Sequence, residues 1–262
     1  EPVKRTVKLP ATTAEYHPAT HGGWAGCNIY WDGSKLTFDN VGETAHQNYQ
    51  GVFFKWGSLW GLDPSYGNDY EYWNNNIAYV SDPSAGWSVN NTCSWNSIPY
   101  NDANDWSYDY SWSCLYEEHN PLAGKGDICR YITEINGGAL HGKKWRMPIK
   151  AEFEGNYTKS AEYLDYLVIE NSPAGTYPVT SGYTKTGDNV FFPATGYRSE
   201  NDGYLDFGLL YSFSGVYWMS SPTESPYVAG YMLFNGYGYG YIYGGYGINK
   251  NFALSVRCVA EQ

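Results

Sequence analysis

Trp145-Arg146-Met147-Pro148, followed by Phe153, Tyr157, Ala161, Leu164 and Leu167 or Val168, is the stretch on which the fold class turns. Proline suits a first helical turn, where its missing N–H has no intrahelical acceptor to lose. The apolar residues beyond it recur at three- and four-residue steps, the spacing of one helical face. A helix is expected from here, with a second, weaker one from Ile128 to Ile135.

On either side the signals are those of strands. After Asn171 come Asn189 to Pro193, Val216 to Ser220, Tyr231 to Phe234 and Phe252 to Val259, separated by turn residues. Upstream, Cys27 to Trp31 and Ser34 to Phe38 flank Asp32-Gly33, a dipeptide favoured in tight hairpins, and Gln50 to Leu62 is a further strand candidate. Helices in the middle followed by antiparallel strands predict an α+β domain of about two helices, short strands and long loops. Residues 1–23 lack periodicity and read as an extended lead-in to one domain over 24–262, loop-rich at about 63–120.

Composition explains how such a chain holds a core. Leu, Ile, Val and Phe number 47, about 18% of 262 residues, which with a net charge of -11 would ordinarily indicate disorder. The 28 Tyr and 11 Trp supply the missing apolar mass. An acidic balance, 27 Asp plus Glu against 16 Lys plus Arg, offers no basic stripe for phosphates and argues against nucleic acid. The longest aliphatic stretches, such as Tyr163 to Ile169, are far shorter than the roughly 20 apolar residues that span a bilayer. No secretion signal is legible at the start, Glu1-Pro2, so any such signal is expected to have been removed or never included.

Cys27, Cys93, Cys114, Cys129 and Cys258 contain no CxxC and no zinc-finger spacing with histidine, so disulfides are the preferred reading over reduced buried thiols. Two bridges would leave one thiol, tolerable if buried. Cys93 with Cys114 is a candidate pair within the loop-rich stretch.

Catalytic and cofactor motifs fail on their context. His17 and His21 have helical ligand spacing, but Pro18, Gly22 and Gly23 argue against a helix. Gly137 with Gly142-Lys143 nearly forms a phosphate loop, yet Lys144 stands where Ser or Thr would hold magnesium. No Gly-x-Ser-x-Gly elbow occurs. No metal site, organic cofactor or catalytic residue is assigned. Asn74-Asn75-Asn76 beside Trp73 reads as a turn in preference to a ligand-contacting loop.

The informative segment is Tyr227 to Tyr246, with Tyr227, Tyr231, Asn235, Tyr237, Tyr239, Tyr241, Tyr243 and Tyr246 set among glycines. Between Tyr237 and Tyr243 the alternation has a period of two, so an extended segment would project four tyrosines from one face. Glycine is a poor strand former, so local propensity does not account for the pattern. Two explanations compete. The tyrosines pack on the body while glycines allow close approach, or they form an exposed contact patch. The second is preferred, because tyrosine gives large contact area at low ordering cost.

Trp145-Arg146-Met147-Pro148 with Ala151-Glu152-Phe153-Glu154, then Ala194-Thr195-Gly196-Tyr197-Arg198, Tyr217-Trp218-Met219-Ser220-Ser221 and Ser255-Val256-Arg257-Cys258-Val259, occur in an order that resembles one family. It is the C-type-lectin-like domain shared by formylglycine-generating enzyme relatives, Bacteroides-type surface paralogues including fimbrial-tip-like proteins, and variable proteins of diversity-generating retroelements. The resemblance covers about 125–262 and implies a C-type-lectin-like fold, a Cys129–Cys258 disulfide and an extracellular or bacterial outer-surface location.

Departures narrow what carries over. Ile149 replaces the usual capping Thr, the copper-binding cysteine pair of the enzymes has no counterpart, and the calcium triplets Glu-Pro-Asn and Trp-Asn-Asp are missing. The resemblance implies a surface ligand-binding or adhesin module for a protein or glycan, with the Tyr-rich segment where the retroelement-diversified relatives vary. The alternatives are an enzyme of formylglycine-generating or glycoside-processing type, or a structural pilus subunit.

Overall fold

The computed structural model describes residues 21–64, 77–80, 92–100, 124–159, 172–206, 214–221, 223, 225, 227–234 and 240–262. The extended lead-in up to residue 20, most of the loop-rich stretch, and Asn74-Asn75-Asn76 lie outside them.

Helix α1 (Ile128–Ile135) forms where the sequence predicts it, because Asp127 caps it. The Asp127 carboxylate accepts N–H bonds from Cys129 at 2.9 Å and Arg130 at 3.2 Å, and its other oxygen accepts Met147 N–H at 3.0 Å. One side chain thus starts the helix and ties it to the strand that follows.

The helix expected after Pro148 is corrected. Helix α2 (Lys150–Phe153) is four residues long, and Tyr157 belongs to a strand. Gly155, at φ +135°, takes a backbone conformation that ends the helix. Tyr157, Thr158 and Lys159 then pair with Lys185, Thr184 and Tyr183. The later positions of the apolar repeat, Ala161 to Val168, lie outside the described residues.

The α+β, C-type-lectin-like fold class is corrected with it: among the described residues the α-helices have eight and four residues, a 3-10 turn covers Trp95–Ser97, and the other regular elements are strands, so the fold is β-rich. One three-stranded sheet has the order β1 (His21–Trp24), β18 (Val259–Glu261), β8 (Trp145–Arg146). Another has β11 (Val190–Pro193), β10 (Gly182–Lys185), β9 (Tyr157–Lys159). The hairpin β2 (Tyr30–Trp31) and β3 (Leu36–Thr37) closes through the predicted turn, where Asp32 Oδ1 accepts from Ser34 and Lys35.

A ten-stranded sheet runs β16 (Gly240–Asn249), β15 (Val228–Phe234), β14 (Gly215–Trp218), β17 (Ala253–Ser255), β4 (Phe53–Lys55), β5 (Gly61–Leu62), β6 (Ile77–Val80), β7 (Thr92–Cys93). Two further strands, β12 (Tyr197–Arg198) and β13 (Leu205–Asp206), join it beside β17. Alternate residues of β14, with Met219 just beyond it, serve two cores. Val216 and Trp218 pack with Trp31, Trp56 and Trp145, whereas Tyr217 and Met219 pack with Trp24, Phe153 and Phe192.

Tryptophan does the work that aliphatics would do elsewhere, and each buried indole N–H needs an acceptor. Trp56 donates to Met219 O, Trp95 to Glu200 O, Trp145 to Leu140 O and Trp218 to Phe54 O, at 2.7 to 3.1 Å. The Trp145 bond is local, five positions apart, whereas the other three join segments more than 100 positions apart in the chain. One close crossing requires glycine on both sides. A Cβ on Gly175 would lie 2.7 Å from the Gly51 carbonyl carbon, and one on Gly51 2.5 Å from Asn28 Cβ.

The four motifs quoted above meet as framework. Arg146 lies opposite Val259, Tyr217 opposite Ser255, and Ser255 Oγ donates to Thr195 Oγ1 at 2.9 Å. Ser220 N–H donates to Pro148 O at 2.7 Å. Ile149 has no side-chain acceptor to offer at the start of α2, and the gap is filled from both directions. Glu152 Oε2 accepts Ile149 N–H at 2.8 Å, and Ser221 Oγ accepts Lys150 N–H at 2.7 Å. No helix among the described residues is long and apolar enough to cross a membrane.

Candidate functional site

The tyrosine-rich segment forms a ribbon at one end of the ten-stranded sheet. β15 and β16 are antiparallel, with Tyr231 opposite Tyr243, Met232 opposite Ile242, Leu233 opposite Tyr241 and Phe234 opposite Gly240. Directly opposed residues share a face, so Tyr241 and Tyr243 occupy the register rows of Leu233 and Tyr231. The inner face is decided by packing. Met232 and Phe234 are fully buried among Tyr183, Phe192 and Tyr217, while Tyr231 and Leu233 are half-buried.

The rows continue into β14, where Tyr231 faces Trp218 and Leu233 faces Val216. A row of Trp218, Tyr231 and Tyr243 therefore starts in the core and runs outward to β16. The period of two breaks before the last tyrosine. The register shifts between Ala229 and Tyr231, placing Tyr246 in an irregular stretch that ends at Gly247, φ +50°. A Cβ on Gly247 would stand 2.7 Å from Ala229 O.

Of the predicted contact residues, Tyr227 is the most exposed large hydrophobic side chain described, at 59%, and its carbonyl accepts Lys250 N–H. Tyr231 lies on the half-buried face. Tyr241, Tyr243 and Tyr246 lie in β16, and Asn235, Tyr237 and Tyr239 lie outside the described residues.

The cysteines divide as follows. Cys129 and Cys258 form a disulfide joining α1 to the segment before β18. Cys27 is a buried free thiol, Cys93 lies in β7, and Cys114 is outside the described residues. Burial, only partly opposed by the neighbouring Arg257, pushes the Cys27 thiol up to about 12, so this sulfur is not poised as a nucleophile.

Sequence reasoning missed the polar network around Arg257. This fully buried guanidinium donates to Asn28 Oδ1, Ala25 O and Phe191 O, and burial lowers its pKa. Asn28 Nδ2 in turn donates to Gln50 O and to the Tyr217 hydroxyl. The arginine was visible within Ser255 to Val259, but its partners come from segments with no local signal. Ala25 and Phe191 also line an open cleft of about 360 Å³, rimmed by Glu43, Thr44, Gln47 and Asp188. Among the described residues, no group of three or more His, Cys, Asp or Glu side chains is placed to hold a metal ion.

No protein-family model, curated protein or solved structure matches this chain.

Proposed function

We propose that the chain is a non-catalytic ligand-binding or adhesin module of an extracellular or bacterial outer surface, using its tyrosine-rich C-terminal ribbon to contact a protein or glycan. The observation behind this reading is the position of Tyr227, 59% exposed beside a ribbon whose inner residues Met232 and Phe234 are fully buried. The buried pair anchors the ribbon on one face, Tyr231 and Leu233 pack against the main core on the other, and the exposed Tyr227 is not needed for that anchorage. Tyrosine contributes contact area and a hydroxyl at a small cost in rotamer entropy.

The motif resemblance supports the same reading and is the basis for relating the chain to the surface and retroelement-diversified proteins. Diversification is part of the proposal, and the gene tests it directly: a template repeat and a neighbouring reverse transcriptase are expected. For the site, Tyr→Ala at Tyr237, Tyr239, Tyr241 and Tyr243 should each be measured by ligand binding and by melting. Loss of binding at unchanged melting temperature is expected. Unfolding without a specific binding defect would overturn the proposal.

A further inference from the structure

We propose that the cleft between the loops at 41–47 and 187–191 is a second binding site, which takes an organic cation: an ammonium or guanidinium head on a short carbon stem. This site is independent of the tyrosine ribbon. The cleft has a volume of about 360 Å³, and the charged residues that line it are Glu43 and Asp188, one from each loop, with no Lys, Arg or His among the lining side chains. That volume suits a small ligand or one inserted side chain. Thr44, Gln47 and Asn189 add oxygens able to accept hydrogen bonds from the head. Val41, Val190 and Phe191 offer apolar surface to the stem.

The walls are locked to one another by buried groups. The indole N–H of buried Trp24 donates to Asp188 Oδ2 at 3.1 Å across 164 positions of sequence, and Lys185 Nζ donates to the same oxygen. Arg257 ties the same two segments again, donating to Ala25 O at 3.0 Å and to Phe191 O at 2.9 Å. The loop at 41–47 is pinned near both ends, because Gly26 N–H donates to Asp39 O at 3.0 Å and His46 Nδ1 lies 3.0 Å from the Asp39 carboxylate. Glu43 Oε2 accepts Asn40 N–H at 2.9 Å, which fixes the second carboxylate. Acceptors placed in advance cost little ordering on binding. Lys185 offsets part of the Asp188 charge, so Glu43 supplies most of the local attraction, within a chain of net charge -11. A cation gains charge-assisted bonds here that a neutral hydroxyl does not, and an anion is repelled.

The test is calorimetric titration of the folded chain with agmatine and with the Nα-acetyl amides of lysine and arginine, beside the uncharged Nα-acetyl amides of norleucine and citrulline. The three cations should bind and the two uncharged analogues should not, with affinity falling by about three-fold or more between roughly 50 and 500 mM salt. Glu43→Gln should weaken binding by about five-fold or more and Glu43→Lys should abolish it, both at an unchanged melting temperature because Glu43 is exposed. Agmatine binding tighter than the blocked amino acids marks a free amine as the ligand, and the reverse order marks a basic side chain of a partner protein. Uncharged analogues binding as well as the cations, no binding of any cation, or binding that ignores Glu43→Lys would overturn the proposal. Tyr227→Ala should leave the titration unchanged, so failure here and failure of the ribbon are told apart.

Discussion

Arg257 Nε donates to Asn28 Oδ1 at 2.8 Å across 229 positions of sequence, and both side chains are fully buried. The bond holds the segment leading into β2 against the one leading into β18, with Ala25 O and Phe191 O each accepting one further guanidinium N–H. Arg257→Met would leave these three acceptors without their donor inside the protein. A loss of about 3 kcal/mol or more in urea unfolding is expected, and a loss under about 1 kcal/mol would show that water or a shifted side chain replaces the guanidinium.

Cys27 gives the molecule an alkaline limit. Its folded pKa of about 12 lies above the ordinary thiol value near 8.5, so folding favours the protonated form. That stability is whole below about pH 8.5 and is lost as pH rises through the folded value. Cys27→Ala should flatten the decline of stability over this range, and thiol labelling at Cys27 at neutral pH should occur only after unfolding. Rapid labelling of the folded chain would refute the assignment of a sealed thiol.

The Cys129–Cys258 disulfide closes a loop of 129 residues. In the chain-entropy account a loop of this length is worth about 4 to 5 kcal/mol. Cys258→Ser with Cys129→Ser should lose about that much, measured by denaturant unfolding without reductant, whereas an unchanged midpoint would mean that the bridge contributes nothing.

Arg146 and Glu152 form a bidentate pair, both largely buried, at 2.5 and 2.9 Å. Glu152→Ala strands the arginine and also removes the acceptor of Ile149 N–H, so a cost of about 3 to 5 kcal/mol is expected. Ser221→Ala removes only the acceptor of Lys150 N–H and should cost about 1 kcal/mol. Equal effects of the two changes in thermal melts would contradict this division.

Tyr217 and Tyr227 make opposite predictions ten positions apart. Tyr217 is fully buried, its hydroxyl donating to Pro193 O at 2.6 Å, so Tyr217→Ala should cost about 3 to 5 kcal/mol of stability. Tyr227, at 59% exposure, should change stability by less than about 0.5 kcal/mol when truncated while lowering ligand affinity. A destabilised Tyr227→Ala would place that ring in the core.

Several features follow from local sequence. The Ile128–Ile135 helix has its cap at Asp127 and its apolar face within eight residues, because helical hydrogen bonds join near neighbours. The Asp32 turn and the strands near Val190, Val216, Tyr231 and Ala253 carry their own turn residues and apolar runs in the same way. The Cys129–Cys258 pairing was legible through the motif resemblance.

Tertiary structure decided the rest. The apolar repeat after Pro148 is locally helical in spacing, yet Gly155 and pairing with Tyr183 to Lys185 divert it into a strand. The β-rich class follows from such long-range ladders, whose bonds join residues that carry no signal of their partner. Tyrosine alternation near the C-terminus was readable, but which face is inner was not. Phe234 and Met232 reached a core built from Trp24, Phe153 and Phe192, while the register shifts between Tyr243 and Ile248, the stretch that holds Tyr246, and both outcomes depend on which segments the folded chain brings alongside.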